Sequence, residues 1–148
     1  MKKTLPNDLL MAEVTELIRQ GHTVTLTARG NSMNPFIADR RDRVILSPCA
    51  EDRLRPGDVV LALTDDSRYV LHRIVQRRGD ELTLMGDGNL KQTERTDTHR
   101  VVGLLTAVIR KGRTYTTDST AWQRYSRWWM RLTPVRRWLL AIYRRSKS

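Results

Sequence analysis

The chain contains very little cysteine and no long apolar segment. Its single cysteine, Cys49, cannot form an intramolecular disulfide, and no Cys/His spacing matches a zinc site, so we expect no metal and no other cofactor. A run of about 18 apolar residues, which a membrane-spanning helix needs, is missing. The N-terminus turns polar at Asn7 and Asp8, before the core of a signal peptide forms. These absences favour a cytoplasmic protein that is neither exported nor inserted across a bilayer.

Acidic residues are scarce in the C-terminal part of the chain. The net charge is +11 over 148 residues. Residues 118–148 carry eight Lys and Arg but only one acidic residue, Asp118, so much of the basic charge lies in this segment. The length suffices for one domain with a core. We therefore expect a domain over residues 1–117, with its core over 22–110, followed by a basic tail over 118–148.

Alternation and turn residues predict a mostly β domain. Apolar residues at helical spacing predict a helix from Asn7 or Asp8 to about Gln20, which Gly21 ends. Threonines alternate with apolar residues over 24–28, as in a strand. Further β signals lie at 43–47, 58–63, 69–75, 82–85, 101–110 and 113–117. The prediction is a mainly β (α+β) fold: a compact antiparallel β-domain with a short N-terminal helix and C-terminal amphipathic helices.

The tail contains all four tryptophans and shows helical periodicity. One side of a helix carries apolar and aromatic residues: Trp122, Tyr125, Trp128, Trp129 and Leu132. The other side carries Arg124, Arg127 and Arg131. A second helix is predicted to begin at Thr133-Pro134. This pattern suits either a helix at the interface of an anionic membrane or a helix packed on protein. Nucleic acid is the least favoured partner, because the β-domain lacks a basic aromatic platform.

Three polar positions stand in the order of a nucleophile, a base and an acid. Ser32 lies between a predicted strand and a turn, and a serine hydroxyl needs a neighbouring base to become a nucleophile. Among three histidines, His72 lies inside an apolar strand, where a polar side chain without a partner is costly. Asp87 follows in a Gly-Asp-Gly-Asn stretch. Each of these residues also has a non-catalytic explanation on spacing alone. Ser32 fits an ordinary turn, His72 fits a strand residue with a local hydrogen bond, and Asp87 fits a hairpin turn.

Five ordered motifs resemble those of the S24/S26 serine peptidase superfamily, which includes type I signal peptidases and LexA-type self-cleaving proteins. The resemblance covers about residues 22–110. Its motifs are Gly30-Asn31-Ser32-Met33-Asn34-Pro35, Arg55-Pro56-Gly57-Asp58-Val59-Val60, Tyr69-Val70-Leu71-His72-Arg73-Ile74-Val75, Leu84-Met85-Gly86-Asp87-Gly88-Asn89 and Val101-Val102-Gly103. Most bacterial members and the LexA type carry lysine where this chain has His72. The branch of archaeal and endoplasmic-reticulum signal peptidases carries histidine there.

The resemblance implies a Ser/His mechanism. Ser32 is the implied nucleophile and His72 the implied general base. The acid of this branch lies in the Gly-Asp-x-Asn box or shortly after it, which favours Asp87 and leaves Glu94 and Asp97 as alternatives. The Ser32 backbone N–H is the implied oxyanion donor, while the second donor is unassigned because Gly30 stands where some relatives have a hydroxyl. Met33 and Pro35 mark the region expected to bind substrate.

We therefore expect a serine endopeptidase that cleaves a peptide or a precursor protein. The alternatives are a non-catalytic binding module and a self-cleaving LexA-like regulator; the second lacks an obvious scissile linker. With only 21 residues before the first predicted strand, neither a membrane anchor nor a helix-turn-helix unit is expected, which suggests a stand-alone catalytic core. The expected location is the cytoplasm, at the inner face of the membrane if the tail binds lipid rather than protein.

Overall fold

The computed structural model of the chain describes residues 7–27, 42–87 and 93–131. Within these ranges the chain forms two α-helices, α1 (Asn7–Arg19) and α2 (Thr120–Arg131). Short 3-10 helices lie at Glu51–Arg53 and Thr98–Arg100. The strands are β1 (Val24–Thr27), β2 (Asp42–Ser47), β3 (Val59–Leu63), β4 (Tyr69–Arg78), β5 (Glu81–Met85), β6 (Glu94–Asp97), β7 (Val101–Arg110) and β8 (Arg113–Thr116).

The described strands form one eight-stranded sheet in which every pairing is antiparallel. The strand order is β1-β2-β7-β3-β4-β5-β6, and β8 pairs with β7. The predicted mainly β fold is thereby confirmed. Strand β4 lies between β3 and β5, so it contributes side chains to both faces of the sheet.

Each face of the sheet carries its own apolar cluster. On one face, Val70 and Ile74 of β4 pack with residues of β3 and β5. On the other face, Tyr69 and Leu71 pack against a cluster that also contains residues of α1 and α2. Because side chains alternate along a strand, His72 belongs to the face of Val70 and Ile74, and the next residue belongs to the helical face.

The two helices cover the same face of the sheet. Helix α1 contributes Met11, Val14 and Ile18, and α2 contributes Trp122, which is only 5% exposed. Helix α1 ends as predicted, because Gly21 adopts a positive φ of 94° and its N–H donates to the carbonyl of Ile18. Neither described helix has the length and hydropathy needed to cross a membrane.

Strand β6 is the main element that the pattern did not predict. Its sequence, Glu-Arg-Thr-Asp, contains no apolar residue, yet Glu94 and Thr96 are buried. Thr96 Oγ1 donates a hydrogen bond to the carbonyl of Leu63, 2.6 Å away. Polar side chains therefore take the inward positions of this strand because they find polar partners there.

Gly103 of β7 marks a close approach between the sheet and α1. A Cβ atom at this position would lie 2.7 Å from Ile18 Cδ1 and 3.4 Å from Leu46 Cβ. We expect Gly103→Ala to lower the free energy of unfolding by about 1–3 kcal/mol through overpacking. Urea denaturation measures this loss. Ile18→Val removes the crowding Cδ1 atom. The double variant Gly103→Ala, Ile18→Val should therefore lose less free energy of unfolding than the sum of the two single variants. Strict additivity would contradict this account.

Candidate active site

His72 on β4 and Glu94 on β6 form a buried pair. His72 Nδ1 lies 2.6 Å from Glu94 Oε1, and each residue is 6% exposed. The carboxylate form of a glutamate only accepts hydrogen bonds, and opposite that form His72 Nδ1 is the donor. In the neutral ring, Nε2 is then the nitrogen with a free lone pair.

The second carboxylate oxygen of Glu94 forms an ion pair with the exposed side chain of Arg68. Arg68 Nη2 lies 3.7 Å from Glu94 Oε2, and Arg68 Nε donates to Asp66 Oδ2 at 2.8 Å. Asp66 also accepts a hydrogen bond from Thr64. The hydrogen bonds from Thr64 and Arg68 lower the pKa of Asp66, so this carboxylate stays charged and anchors Arg68. Both oxygens of Glu94 thus have partners, which restricts the orientation of its carboxylate.

Arg73 and Asp87 form a second buried pair, on the opposite face of β4. Arg73 Nε donates to Asp87 Oδ1 at 2.8 Å and Nη2 donates to Oδ2 at 2.6 Å, a bidentate contact. Both residues are 0% exposed. Burial alone lowers the pKa of Arg73, but the hydrogen bonds and the charge of Asp87 raise it overall. The guanidinium is therefore charged in the folded protein.

The position of Asp87 corrects the assignment that the sequence favoured for the acid. The structure pairs Asp87 with Arg73, and it brings Glu94, one of the two alternatives, to His72. The physical reason is the alternation of β4, which places His72 and Arg73 on opposite faces. Sequence spacing could not distinguish Asp87 from Glu94 as the partner of His72, because both follow His72 at a plausible separation along the chain.

Asp97, the other alternative, is occupied elsewhere. Its Oδ1 accepts a hydrogen bond from the His99 backbone N–H at 2.9 Å, and its Oδ2 lies 3.3 Å from Arg100 Nε. All three histidines lie within the described residues, and His72 is the buried one. His99 is exposed, with Nδ1 3.0 Å from an oxygen of Glu51, and His22 is also exposed.

The nucleophile segment lies outside the described residues. Strand β1 ends at Thr27 and β2 begins at Asp42. Ser32 with its backbone N–H, and the predicted substrate-binding region around Met33 and Pro35, belong to the part of the chain between them. Their assignments remain predictions.

The tail residues divide into buried and exposed groups. Trp122 and Ser126 of α2 face the core and are each 5% exposed. Of the two alternatives for Trp122, its burial fits packing on protein, because it belongs to the apolar cluster that also contains residues of α1. Trp128 is 66% exposed. The arginines predicted on the outer side, Arg124, Arg127 and Arg131, are exposed; the side chain of Trp129 lies outside the described residues.

The described ranges contain no group of three or more His, Cys, Asp or Glu side chains that could hold a metal ion. Cys49 is half-buried. Burial and the negative charge of Asp58 raise the pKa of the Cys49 thiol. A raised pKa lowers the thiolate fraction at neutral pH, which argues against Cys49 as a nucleophile.

The His72–Glu94 geometry suits a general base. The carboxylate fixes the ring orientation and stabilises the imidazolium that forms when Nε2 takes a proton. Since the Nδ1 side is closed by Glu94, Nε2 is the nitrogen that an incoming hydroxyl would reach.

Comparison with protein families agrees with this domain type. The family model described as Peptidase S24-like matches residues 2–105, from the N-terminus into β7. The search of curated proteins returned no match. The family match includes Ser32, His72 and Glu94, and it ends before α2. Because the matched region covers more than half of its residues, the chain belongs to the Peptidase S24-like family.

Proposed function

We propose that this protein is a serine endopeptidase in which Ser32 is the nucleophile, His72 the general base and Glu94 the orienting acid. The observation that carries the proposal is the buried 2.6 Å contact between His72 Nδ1 and Glu94 Oε1. A buried imidazole held by a carboxylate is one arrangement that activates a serine nucleophile. The proposed substrate class is a peptide or a precursor protein.

The acylation half of the proposed reaction has two proton transfers through His72. Ser32 Oγ attacks the scissile carbonyl while His72 Nε2 takes the hydroxyl proton. The tetrahedral oxyanion is stabilised by the Ser32 backbone N–H and a second donor. The imidazolium then gives its proton to the leaving amine, and Glu94 remains ionised throughout. In deacylation, His72 takes a proton from the attacking water and returns it to Ser32 Oγ as the acyl–oxygen bond breaks and the carboxylic acid product leaves.

The contact with Glu94 supports the histidine-base branch of the superfamily rather than the lysine type. A lysine acts as a base only when its amine is neutral, which requires an environment that disfavours the ammonium ion. A buried carboxylate at the position of Glu94 would instead stabilise the ammonium. The same carboxylate improves a histidine base, because it orients the ring and stabilises the imidazolium. His72 and Glu94 are thus chemically matched.

Cleavage of a diverse peptide library by purified protein tests the proposal, with products identified by mass spectrometry. We expect Glu94→Gln to lower kcat by about 10²- to 10⁴-fold, because an amide neither stabilises the imidazolium nor enforces one tautomer. Glu81→Gln, at an exposed position of β5, is the matched control and should leave kcat unchanged.

Two outcomes would count against the peptidase. If wild type and a Ser32→Ala variant give the same products, a contaminating activity explains the cleavage. If no peptide is cleaved at all, the non-catalytic module becomes the better interpretation. Cleavage of the chain itself, at a rate independent of its concentration, would favour the self-cleaving regulator.

We also propose an anionic membrane surface as the partner of the outer face of α2, which places the enzyme at the inner face of the membrane. The outer face comprises Arg124, Arg127, Trp128 and Arg131. Within the described residues none of these arginines forms an ion pair, and Trp128 is 66% exposed. An exposed indole beside arginines suits the headgroup region of an anionic leaflet.

Sedimentation with phosphatidylglycerol and phosphatidylcholine vesicles tests this surface. Each arginine near an anionic surface contributes about 1 kcal/mol. We therefore expect replacement of the three arginines by glutamine to weaken binding to anionic vesicles by about 10²-fold or more. Trp128→Ala should also weaken binding, whereas Tyr115→Ala, at an exposed aromatic residue of β8, should not. Binding to DNA but not to vesicles would contradict the membrane assignment.

A further inference from the structure

Helix α2 lies beyond the family match, yet it contacts the buried pair beside the proposed base. The match ends at residue 105, and α2 spans Thr120–Arg131. Ser126 Oγ accepts a hydrogen bond from Arg73 Nη1 at 2.7 Å. Tyr125 donates its hydroxyl to Asp87 Oδ2 at 3.3 Å, and its ring centroid lies 5.7 Å from Arg73 Cζ. Two consecutive α2 residues thus contact one ion pair.

Helix α2 supplies one of the hydrogen-bond acceptors of the Arg73 guanidinium. Nε and Nη2 donate to Asp87, and Nη1 donates both to the Gly57 carbonyl at 2.9 Å and to Ser126. Arg73 is 0% exposed, so water does not replace a lost acceptor without rearrangement. A buried charge that loses a partner is expensive, and the surrounding structure then shifts to recover one.

A shift of Arg73 is transmitted to His72 because the two residues are neighbours on β4. Arg73 ties β4 to the end of β5 through Asp87, to the start of β3 through Gly57, and to α2 through Ser126. The backbone supports the same region, since Ile74 N–H donates to the Asp58 carbonyl at 2.7 Å. The ring of His72 points to the opposite face, so its position follows the path of the strand that Arg73 holds.

We propose that α2 is a positioning element of the active site, in which Ser126 and Tyr125 hold the Arg73–Asp87 pair and thereby set the orientation of His72. The proposal rests on the function proposed above and adds to it a segment that the family match does not include. It also gives the tail a role within the catalytic domain, since the helix with the exposed arginines is the one that holds the base in place.

The decisive comparison is between two Ser→Ala variants of the same helix. Ser126→Ala removes an acceptor from Arg73. Ser119→Ala removes the cap at the start of α2, where Ser119 Oγ accepts a hydrogen bond from the Trp122 N–H at 3.2 Å. Both changes weaken α2, but only the first touches the Arg73 pair. We expect Ser126→Ala to lower kcat on the order of 10-fold with KM within about twofold, since displacement by about 1 Å costs up to 10²-fold. Ser119→Ala should keep the wild-type kcat below its unfolding temperature.

A spectroscopic readout separates this inference from the proposed peptidase activity. From the short His72 Nδ1–Glu94 contact we expect a downfield NMR signal of the Nδ1 proton, which can be followed without catalysis. We expect faster exchange of this proton in Ser126→Ala than in Ser119→Ala. If the chain cleaves nothing, this difference still supports the positioning role. Equal exchange rates in the two variants, with equal kcat where turnover is measurable, would overturn it.

Tyr125→Phe is a milder variant that keeps α2 packed. It removes the hydroxyl that reaches Asp87 and leaves the ring beside Arg73. Because the lost hydrogen bond is long, we expect a smaller effect, about twofold to fivefold in kcat, in the same direction as Ser126→Ala. An increase in kcat, or no change in both kcat and the exchange of the His72 proton, would contradict the proposal.

Discussion

Replacing His72 with alanine is expected to lower kcat for peptide cleavage by about 10³- to 10⁶-fold. Without the imidazole, no group at this position takes the Ser32 proton, and the carboxylate of Glu94 is left buried without its partner. The remaining rate comes from substrate binding and the oxyanion donors. His99→Ala is the matched control, because His99 also contacts a glutamate, Glu51, but is exposed. That variant should retain the wild-type kcat.

Combining His72→Ala with Ser32→Ala sharpens this prediction. When two residues act in one step, removing either one abolishes the contribution of both. The kcat of the double variant should therefore be no lower than that of the slower single variant. Multiplicative losses would mean that Ser32 and His72 act in separate steps. A His72→Ala variant with the wild-type kcat would refute the proposed base.

Loss of the Arg73 side chain is expected to cause the largest loss of stability. Arg73→Met removes the guanidinium that donates to both oxygens of the buried Asp87 carboxylate, and breaking a buried pair in this way costs about 3–5 kcal/mol. Urea denaturation measures the change. Arg100→Met provides the control: the Arg100–Asp65 contact has the same 2.6 Å separation, but its side chains are 39% and 58% exposed. Exposed pairs contribute less than about 1 kcal/mol, so the control should remain close to wild type.

The double variant Arg73→Met, Asp87→Leu distinguishes the buried charge from lost packing. Once both charges are absent, no uncompensated carboxylate remains, so part of the stability should return. If Arg73→Met and Arg100→Met have the same free energy of unfolding, the buried Arg73–Asp87 pair does not stabilise the fold in the way that its burial implies. If the double variant is less stable than Arg73→Met, the packing of the two side chains dominates instead.

Much of the fold was predictable because its signals are local. The alternation of threonine and apolar residues before Ser32 marked β1, and the apolar run around His72 marked β4. The bounds differ where the strand continues into polar residues, as β4 does to Arg78. Strand β6 was missed because its inward residues are polar. Burial of a polar residue depends on a partner from another strand, and no local pattern reports that partner.

The identity of the acid that contacts His72 could not be predicted from local sequence patterns either. Asp87 and Glu94 are both carboxylates at plausible distances after His72. The choice between them depends on which face of β4 each one reaches, and on Arg73, whose Nε and Nη2 both donate to Asp87. The cross-strand register that sets Glu94 opposite Leu84 then directs its side chain to the face of His72. These facts exist only once the strands are paired.

The sequence by itself determined the β class, the end of α1 at Gly21, the order of the Ser32 and His72 motifs, and the basic character of the tail. Each follows from periodicity, backbone freedom or charge along the chain. Only the tertiary structure decided that Glu94 contacts His72, that Asp87 belongs to Arg73, and that α2 packs on the core through Trp122. The reason is physical: partners of buried polar groups come from elements far apart in the chain, and packing alone brings them together.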